Sequence, residues 1–220
     1  MAKHKRTPKL YSHPRSGTNW LLALLEQAYW GCVKYAPAET GHWSQRVEVP
    51  AAPQSTQFWG GHQFCQNARG GKRIYLYRDG RDVALSLWRT KAFQHKSWRR
   101  LSFSEFLRRP LDWLRTPGRK TDQHWTIAEH WRRHLDSWHK APGTLFVRYE
   151  DLLNDAPTEL ARIADFVDIE LLLGVPLRGG AGPFPSSDYR AAKWRTVFTK
   201  AELDYFFTVV PPNHWGLWNE

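Results

Sequence analysis

Short apolar runs alternate along the chain with longer stretches in which apolar residues recur every three or four positions. The short runs predict strands and the longer stretches predict helices. The predicted strands cover residues 9–11, 57–60, 73–77 and 144–149. The predicted helices cover residues 17–30, 81–94, 122–140, 156–168 and 200–208. Because strands alternate with helices, the pattern predicts an α/β fold: a three-layer domain with a mainly parallel central sheet.

Local signals mark two helix starts and two interruptions of this pattern. Asp122 is expected to cap the third helix, and Pro157 suits the first turn of the fourth because its φ angle is already helical. Residues 95–121 are basic and aromatic, and we interpret them either as an insertion over a ligand site or as a solvated face. Residues 174–188 are rich in Gly and Pro and predict a mobile loop.

The junction between the first strand and the first helix carries the strongest chemical signal. From His13 to Trp20 it reads His-Pro-Arg-Ser-Gly-Thr-Asn-Trp, a tight turn that leads into a helix. The first N–H groups of a helix lack intrahelical acceptors, and the helix dipole adds partial positive charge there. Arg15 adds a full charge, and Thr18 and Asn19 add side-chain donors. An ordinary capped helix needs fewer such residues, so the sequence favours an anion-binding loop.

Composition narrows the partners of such a loop. A chain of 220 residues is most simply one domain with its own core, and its formal net charge of +11 predicts an anionic partner. Nucleic acid, a membrane surface and a phosphorylated or sulfated small molecule all satisfy that charge. The 13 Trp residues suit stacking on bases or sugars, but most of them are expected to fill the core.

The cysteines and the lengths of the apolar runs indicate the cellular compartment in which the protein is expected. Cys32 and Cys65 lack the spacing of a metal or redox site and are expected to be reduced thiols. The basic N-terminus has no signal-peptide pattern, and the longest apolar run, residues 20–25, is too short to span a bilayer. The chain is therefore expected to be soluble and cytoplasmic.

A second polar signal follows the predicted strand 73–77. Arg78 stands where the strand ends, and Ser86 lies about two helical turns further on, so a cation and a hydroxyl could together bind a second phosphate. The alternative is an Arg–Asp network that stiffens the turn. A third and weaker signal lies at residues 147–153, where a strand ends in an aromatic and acidic turn.

Together, these segments resemble the sulfotransferase family that uses 3'-phosphoadenylyl sulfate (PAPS). Residues 14–20 are similar to that family's 5'-phosphosulfate loop, P-[KR]-S-G-[TN]-[TN]-W. Arg78 and Ser86 match its 3'-phosphate motif, in which an Arg and a Ser lie eight residues apart. Residues 149–152 resemble its Y-E-D-L turn, and residues 194–199 resemble its W-[KR]-x-x-F-T segment.

This resemblance extends from about residue 9 to residue 210 and implies one P-loop-like domain over residues 1–220. It also implies roles for the matching residues. The residues implied to hold the 5'-phosphosulfate are Arg15, Ser16, Gly17, Thr18 and Asn19. Arg15 would also stabilise negative charge on the leaving group. The remaining implied contacts to the donor are those of Trp20 and Tyr149 with the adenine, and of Arg78 and Ser86 with the 3'-phosphate.

The acceptor needs a group that takes its proton. The family often uses a His that follows a strand and precedes the 3'-phosphate motif, and His62 stands in that region, with Glu48 as the alternative. Many cytosolic members carry a Lys two residues before this His, where the present chain has Gly60.

A second departure concerns the family's R-K-G segment, which closes on the 3'-phosphate. Ser-Asp-Tyr stands in its place at residues 187–189. Arg190 and Lys193 are expected to substitute for it from a mobile loop that covers residues 174–193.

The resemblance implies that a sulfuryl group moves from PAPS to a hydroxyl or amine, with release of adenosine 3',5'-bisphosphate (PAP) and without a metal. Aromatic side chains in residues 88–125 suit a small-molecule or glycan acceptor. No membrane span is expected, nucleic acid is not expected as a partner, and oligomeric state is not predicted. Two alternatives stay open. A P-loop nucleotide kinase or ATPase would need Lys directly after Gly17, where Thr18 stands. A non-catalytic nucleic-acid-binding protein would carry its charge in one broad stripe.

Overall fold

The structure is a computed structural model that describes most of the predicted elements. The described residues are 8–28, 33–37, 56–68, 71–90, 100–110, 125–168, 191–212 and 214. The residues Cys32, Glu48, Asp122 and Arg190 themselves fall outside these ranges, as does most of the predicted mobile loop.

The chain divides into two compact units, each assembled from two stretches of sequence. The sheet unit comprises Met1–Tyr77 and Ala141–Arg190. The helical unit comprises Arg78–Lys140 and Ala191–Glu220. Each unit is described separately below.

A five-stranded sheet forms the centre of the described sheet unit. Its strands are β1 (Lys9–Ser12), β2 (Val33–Pro37), β3 (Thr56–Gly61), β4 (Arg73–Tyr77) and β5 (Thr144–Arg148). Their order across the sheet is β2-β3-β1-β4-β5, and all four pairings are parallel. The carboxyl ends of all five strands therefore share one edge, which is where open parallel sheets bind ligands.

Alternation along the strands builds the core of this unit. The helices α1 (Thr18–Ala28), α5 (Tyr149–Asn154) and α6 (Ala156–Val167) contribute to the same buried cluster as residues of β1, β4 and β5. The strand members of that cluster are Leu10, Ile74, Leu76 and Val147, and the register pairs Leu10 with Ile74. Successive strand side chains point to opposite faces, so these residues line one face of the sheet.

The start of α6 illustrates how local sequence sets helix bounds. Asp155 caps the helix by accepting a hydrogen bond from the Thr158 N–H group at 3.2 Å, and Pro157 lies in the first turn, as predicted. Asp168 ends the helix in the left-handed conformation, with φ of 60°. Asp tolerates this conformation better than most residues.

Four helices and a short 3-10 turn make up the described part of the helical unit. The helices are α2 (Gly80–Arg89), α3 (Phe103–Arg108), α4 (Ile127–His139) and α7 (Lys200–Val209), and the 3-10 turn is Lys193–Thr196. Capping boxes begin three of them, at Ser102, Thr126 and Thr199. The unit owes its well-defined helix starts to these reciprocal hydrogen bonds.

The prediction that Asp122 caps the third predicted helix is wrong. This helix is α4, which begins at Ile127, and its N-cap is Thr126. The Glu129 side chain accepts a hydrogen bond from the Thr126 N–H group at 2.8 Å, and the Thr126 hydroxyl accepts one from the Glu129 N–H group at 3.4 Å. The T-x-x-E spacing was the stronger start signal because it satisfies two backbone donors together.

The predicted α/β class with a parallel sheet is confirmed, and one strand and two α-helices among the described elements were missed. These are β2, α3 and α5, each only five or six residues long. Residue 149, predicted as the end of a strand, is instead the first residue of α5. The third layer and the single-domain organisation stay predictions. None of the helices within the described ranges is both long and apolar enough to cross a bilayer.

We expect Gly80→Ala to destabilise the helical unit. A Cβ atom at this position would lie 2.8 Å from Cδ2 of buried Trp131 and 3.0 Å from Cζ of Phe206. Forcing a methyl group into a filled core typically costs about 1–3 kcal/mol. Thermal denaturation should show a lower midpoint than for Ala161→Ser, an exposed control on α6 whose effect should stay within about 0.5 kcal/mol. Equal midpoints would contradict the steric argument.

Candidate active site

The loop between β1 and α1 reverses the chain through two residues with positive φ. Gly17 has φ of 97°, and a Cβ atom there would lie 2.5 Å from a ring carbon of Tyr149. Glycine is therefore required at this position for both its conformation and its size. Arg15 has φ of 72°, a left-handed conformation that costs a non-glycine residue of order 1–3 kcal/mol. Strain of this kind is characteristic of functional sites.

This loop presents a set of donors to an anion. The first backbone hydrogen bonds of α1 run from the Trp20 and Leu21 N–H groups to the Gly17 carbonyl, both at 3.0 Å. The N–H groups of Thr18 and Asn19 lie ahead of these bonds, at the positive end of the helix dipole. Half-buried Arg15 adds a full charge next to them. The arrangement suits an oxyanion.

Ser16 gives independent support for a ligand at this loop. Its side chain is fully buried, and its Oγ atom has no hydrogen-bond partner among the described residues. A buried hydroxyl without a partner loses free energy, so such groups call for an explanation. A phosphate or sulfate oxygen held by the loop would supply the partner, and the residues present therefore fit such a group.

The two aromatic residues assigned to the adenine lie in the core of the sheet unit. Trp20 is 7% exposed and Tyr149 is 1% exposed, and their rings meet edge to face with centroids 5.2 Å apart. The adenine contacts of Trp20 and Tyr149 stay predictions. The structure also gives both residues a role in positioning the loop, because the Tyr149 ring lies directly against Gly17 and packs on Trp20.

The register of the sheet brings His62 to the start of this loop. Tyr11 pairs with Gly61, so the next residues, Ser12 and His62, lie side by side at the edge of the sheet. The Nδ1 atom of His62 lies 2.8 Å from the Ser12 carbonyl oxygen and 3.2 Å from Ser12 Oγ. A carbonyl oxygen only accepts hydrogen bonds, so Nδ1 carries the proton, and in the neutral ring Nε2 carries the lone pair.

Electrostatics keep this imidazole neutral. Burial lowers the pKa of His62 below its ordinary range, and the positive charge of Arg15 lowers it further. The hydrogen bond to the Ser12 carbonyl opposes these effects but does not outweigh them. A neutral His62 with its lone pair on Nε2 has the protonation state that a general base requires.

The helical unit carries the second predicted site, on one stripe of α2. Arg78 precedes the helix, and Asp82 and Ser86 follow it at intervals of four residues, which places all three on one side. An Nη atom of Arg78 lies 3.7 Å from Oδ2 of Asp82, and both side chains are almost completely buried. Ser86 is half-buried. The indole N–H group of Trp131 donates to the Arg78 carbonyl at 3.2 Å and holds the backbone there.

Asp82 is a residue of this site that the sequence analysis missed. Its Oδ1 atom accepts a hydrogen bond from the Trp194 N–H group at 2.9 Å, so it holds the 3-10 turn as well as Arg78. Burial raises the pKa of Asp82, and the Arg78 charge opposes that effect. The four-residue spacing from Arg78 was the available signal.

The predicted Arg–Asp network also exists, and it includes Arg81 besides the Arg78–Asp82 pair. Arg81 forms a two-pronged ion pair with Asp79, with an Nη–Oδ2 distance of 2.8 Å, and its guanidinium lies 3.7 Å from the centroid of the Trp194 ring. These contacts stiffen the turn before α2. The binding and the structural interpretations of this segment are therefore compatible, since Arg81 takes the structural role.

The other predicted contacts are only partly described. Lys193 is half-buried and begins the 3-10 turn, while Arg190 and Glu48 fall outside the described residues. No three His, Cys, Asp or Glu side chains in the described ranges lie close enough to hold a metal ion together.

We expect NMR to find His62 neutral at pH 7, protonated on Nδ1, with an apparent pKa below the ordinary value of about 6.5. In that case the unfolded chain takes up a proton as the pH falls below about 6.5, before the folded chain does, so the stability that His62 contributes above this pH is lost on acidification. His62→Gln, which also identifies the resonance, should remove this part of the pH dependence. An Nε2–H tautomer would contradict the geometry.

Comparisons with known proteins identify relatives of this chain. The sulfotransferase domain family model matches residues 62–177, slightly more than half of the chain. Cytosolic sulfotransferase 7 of Arabidopsis thaliana is 23% identical over 198 residues, which cover 76% of this chain, and the chain spans only 58% of that relative's length.

Solved structures show the same fold. Mouse sulfotransferase SULT7A1, complexed with PAP, superposes with a TM-score of 0.62 at 18% identity, covering 93% of this chain and 82% of its own. A retinol dehydratase in complex with androsterone and PAP gives 0.58 at 20% identity, covering 92% and 79%. The sulfotransferase domain of the Synechococcus PCC 7002 olefin synthase gives 0.51 at 15% identity, covering 91% and 93%. From the family match over residues 62–177, the chain belongs to the sulfotransferase domain family.

Proposed function

We propose that this protein is a PAPS-dependent sulfotransferase that transfers a sulfuryl group to a hydroxyl or amine and releases PAP. The observation that carries the proposal is the loop at residues 15–19, where a cation, helix N–H groups and the unpartnered Ser16 hydroxyl adjoin a neutral His62. PAP is bound in the related mouse sulfotransferase and in the retinol dehydratases, which supports PAPS as the donor.

The loop would hold the 5'-phosphosulfate. The Ser16 N–H group already donates to the His13 carbonyl at 3.2 Å, so the backbone N–H groups of residues 17–19 and the Ser16 hydroxyl donate hydrogen bonds to its oxygens, and Arg15 neutralises its charge. These donors are fixed before the donor substrate binds, because Gly17 lies against Tyr149 and α1 is anchored in the core. Preorganised donors stabilise developing charge without a reorganisation cost during the reaction.

The transfer step is an in-line displacement at sulfur. His62 Nε2 takes the proton of the acceptor, the acceptor oxygen or nitrogen bonds to sulfur, and the bond from sulfur to the bridging oxygen breaks. The electron pair of that bond stays on the bridging oxygen, which becomes a terminal oxygen of the 5'-phosphate of PAP. Arg15 and the loop N–H groups stabilise this new charge. The proton on His62 then passes to solvent.

Arg78 and Ser86 would bind the 3'-phosphate, the group that distinguishes PAPS from ATP. Arginine suits a phosphate because its N–H groups bind two oxygens at once. Asp82 would orient the Arg78 guanidinium, because the two are an ion pair on the same stripe of α2. Lys193 and Arg190 remain the proposed substitutes for the family's R-K-G segment.

The acceptor is proposed to be a small molecule. Retinol and androsterone are bound in the two retinol dehydratase structures, and both are largely apolar alcohols that contain rings. Two of the aromatic residues predicted to shape an acceptor pocket, Trp88 and Phe103, pack edge to face at 5.4 Å in the helical unit. A glycan acceptor and the cytoplasmic location stay predictions.

PAP should bind with micromolar or tighter affinity at fixed salt, and ADP should bind much more weakly. The reason is that only PAP carries a 3'-phosphate for Arg78 and Ser86. In isothermal titration calorimetry, Arg78→Ala should weaken PAP binding by about 10- to 100-fold, the effect of losing charge-assisted hydrogen bonds. Arg108→Ala, which removes an exposed arginine of α3, is the matched control and should leave the affinity unchanged. Equal binding of PAP and ADP by the wild type would overturn the proposal.

Substitutions in the loop should lower the turnover rate more than they lower the affinity for PAP. Arg15→Ala is expected to lower kcat by about 100- to 1,000-fold, since its charge acts on the leaving group, whereas Arg15→Lys should retain much of the activity. His62→Ala should lower kcat with little change in PAP affinity. The measurement is PAPS consumption with a panel of phenols, sterols and sugars. Near-normal turnover by Arg15→Ala would refute the assigned chemistry.

Asp82→Ala should weaken PAP binding by about tenfold, because Arg78 loses its ion-pair partner and the Trp194 N–H group loses its acceptor. Asp82→Asn keeps an acceptor for Trp194 and should fall between the wild type and Asp82→Ala. In the Arg78→Ala background, Asp82→Ala should have little further effect, since Asp82 acts through Arg78. Tighter binding by Asp82→Ala would show that its charge repels the ligand more than its contacts help.

A further inference from the structure

Three side chains of the sheet unit form a continuous chain of hydrogen bonds at the edge of the sheet. His62 Nδ1 lies 3.2 Å from Ser12 Oγ, and Ser12 Oγ lies 2.5 Å from Thr18 Oγ1. Ser12 is the last residue of β1, and Thr18 is the first residue of α1. The chain therefore begins at the proposed base and ends at the loop that is proposed to hold the 5'-phosphosulfate.

The direction of these hydrogen bonds follows from their chemistry. Nδ1 of His62 is a donor, because it also contacts the Ser12 carbonyl oxygen at 2.8 Å. It can only donate to Ser12 Oγ as well, so the Ser12 hydroxyl hydrogen cannot point back at the ring. Ser12 is fully buried, and its remaining partner among the described residues is Thr18 Oγ1. A buried hydroxyl uses its donor, so Ser12 donates to Thr18.

This direction has a consequence at the far end. Thr18 Oγ1 accepts from Ser12, and its own hydrogen is then directed to another acceptor. Thr18 is 8% exposed and lies at the first turn of α1, beside the helix N–H groups that suit an oxyanion. An oxygen of a bound phosphate or sulfate is an acceptor of the right kind for this hydrogen.

We propose that Ser12 and Thr18 form a hydrogen-bond relay that links protonation of His62 to the strength with which Thr18 donates to a bound 5'-phosphate or sulfuryl oxygen. The proposal rests on the proposed function, since it assigns these oxygens to the loop. Ser12 is a positioning residue in this relay, because it acts through its two neighbours. No proton moves along the relay, and each hydroxyl keeps its own hydrogen.

The relay acts by polarisation. When His62 takes the proton of the acceptor, its Nδ1–H group becomes a stronger donor to Ser12. The Ser12 hydroxyl then donates more strongly to Thr18, and Thr18 donates more strongly to the ligand, because hydrogen bonds in a chain reinforce one another at low dielectric. The leaving group thus receives its strongest hydrogen bond at the moment when its negative charge develops. The positive charge that His62 gains is in this way coupled to the negative charge that develops on the phosphate.

The first test uses the protein without ligand. NMR titration of His62, assigned with His62→Gln, should show that Ser12→Ala lowers the proton affinity of the imidazole about fivefold, the effect of one net hydrogen bond. Thr18→Val, which keeps the side-chain shape, should lower it about twofold, and Thr18→Ser should restore it. The positive charge of Arg15 also acts on His62, and Arg15 is unchanged in all variants.

Non-additivity decides whether the relay exists. If Thr18 acts on His62 through Ser12, then Thr18→Val should have no effect in the Ser12→Ala background. Additive effects would overturn the proposal, because Thr18 would then act without the intervening hydroxyl. An unchanged proton affinity of His62 in Ser12→Ala would overturn it as well. If Ser12→Ala fails to fold, the comparison of Thr18→Val with Thr18→Ser and the wild type still decides the matter, because a titration unaffected by Thr18→Val excludes the relay.

The second test uses PAP as the probe of the loop. By linkage, PAP should bind more tightly when His62 is protonated. The ratio of the PAP affinity with His62 protonated to the PAP affinity with His62 neutral should be about fivefold lower in Ser12→Ala than in the wild type. Two other effects depend on pH: the direct attraction between the imidazolium and PAP, and the titration of PAP itself. Both are the same in the wild type and in Ser12→Ala, so they cancel when the two ratios are compared. Equal ratios would overturn the relay while the proposed function stands. Absence of PAP binding by the wild type would overturn the proposed function, and the titration without ligand would still judge the relay.

Discussion

The close approach of the Gly17 backbone to the Tyr149 ring is the contact on which the candidate site depends. It fixes where the chain turns between β1 and α1, because no side chain fits between the two. Tyr149 is itself held by the core that α1, α5 and the strands share. The side chains that stabilise the sheet unit therefore also orient the hydrogen-bond donors of the loop. The anion site depends on the same core packing as the fold.

The register of the parallel sheet places His62 next to the loop. Pairing of β1 with β3 brings His62 beside Ser12, fifty positions away in sequence, without any dedicated connection. The carbonyl oxygen of Ser12 then sets the tautomer of the ring, a role that any residue at this position could fill. The Ser12 hydroxyl is different, since only a hydroxyl residue could link His62 to Thr18. This distinction separates what the backbone provides from what the side chain adds.

Sequence patterns predicted the long elements and the two anion motifs because each is encoded locally. Strand Arg73–Tyr77 was predicted to the residue, and the loop at residues 15–19 was recognisable from its composition. The contacts that connect these pieces depend on tertiary structure and could not be predicted in the same way. The hydrogen bond of Asp82 to Trp194 and the alignment of Ser12 with His62 both join segments brought together by folding, whereas the pairing of Asp82 with Arg78 was open to prediction from its four-residue spacing. Burial of Trp20 likewise became apparent only once the helices were placed.

The left-handed backbone of Arg15 bears on how this protein evolves. Glycine or asparagine would adopt that conformation at lower cost, so selection for thermal stability alone would favour replacing the arginine. We expect the arginine to persist only while its charge is needed. A lineage that lost its reaction but kept its fold would be expected to lose this arginine early, and the identity of residue 15 would then distinguish working enzymes from relatives that retain the scaffold for other purposes.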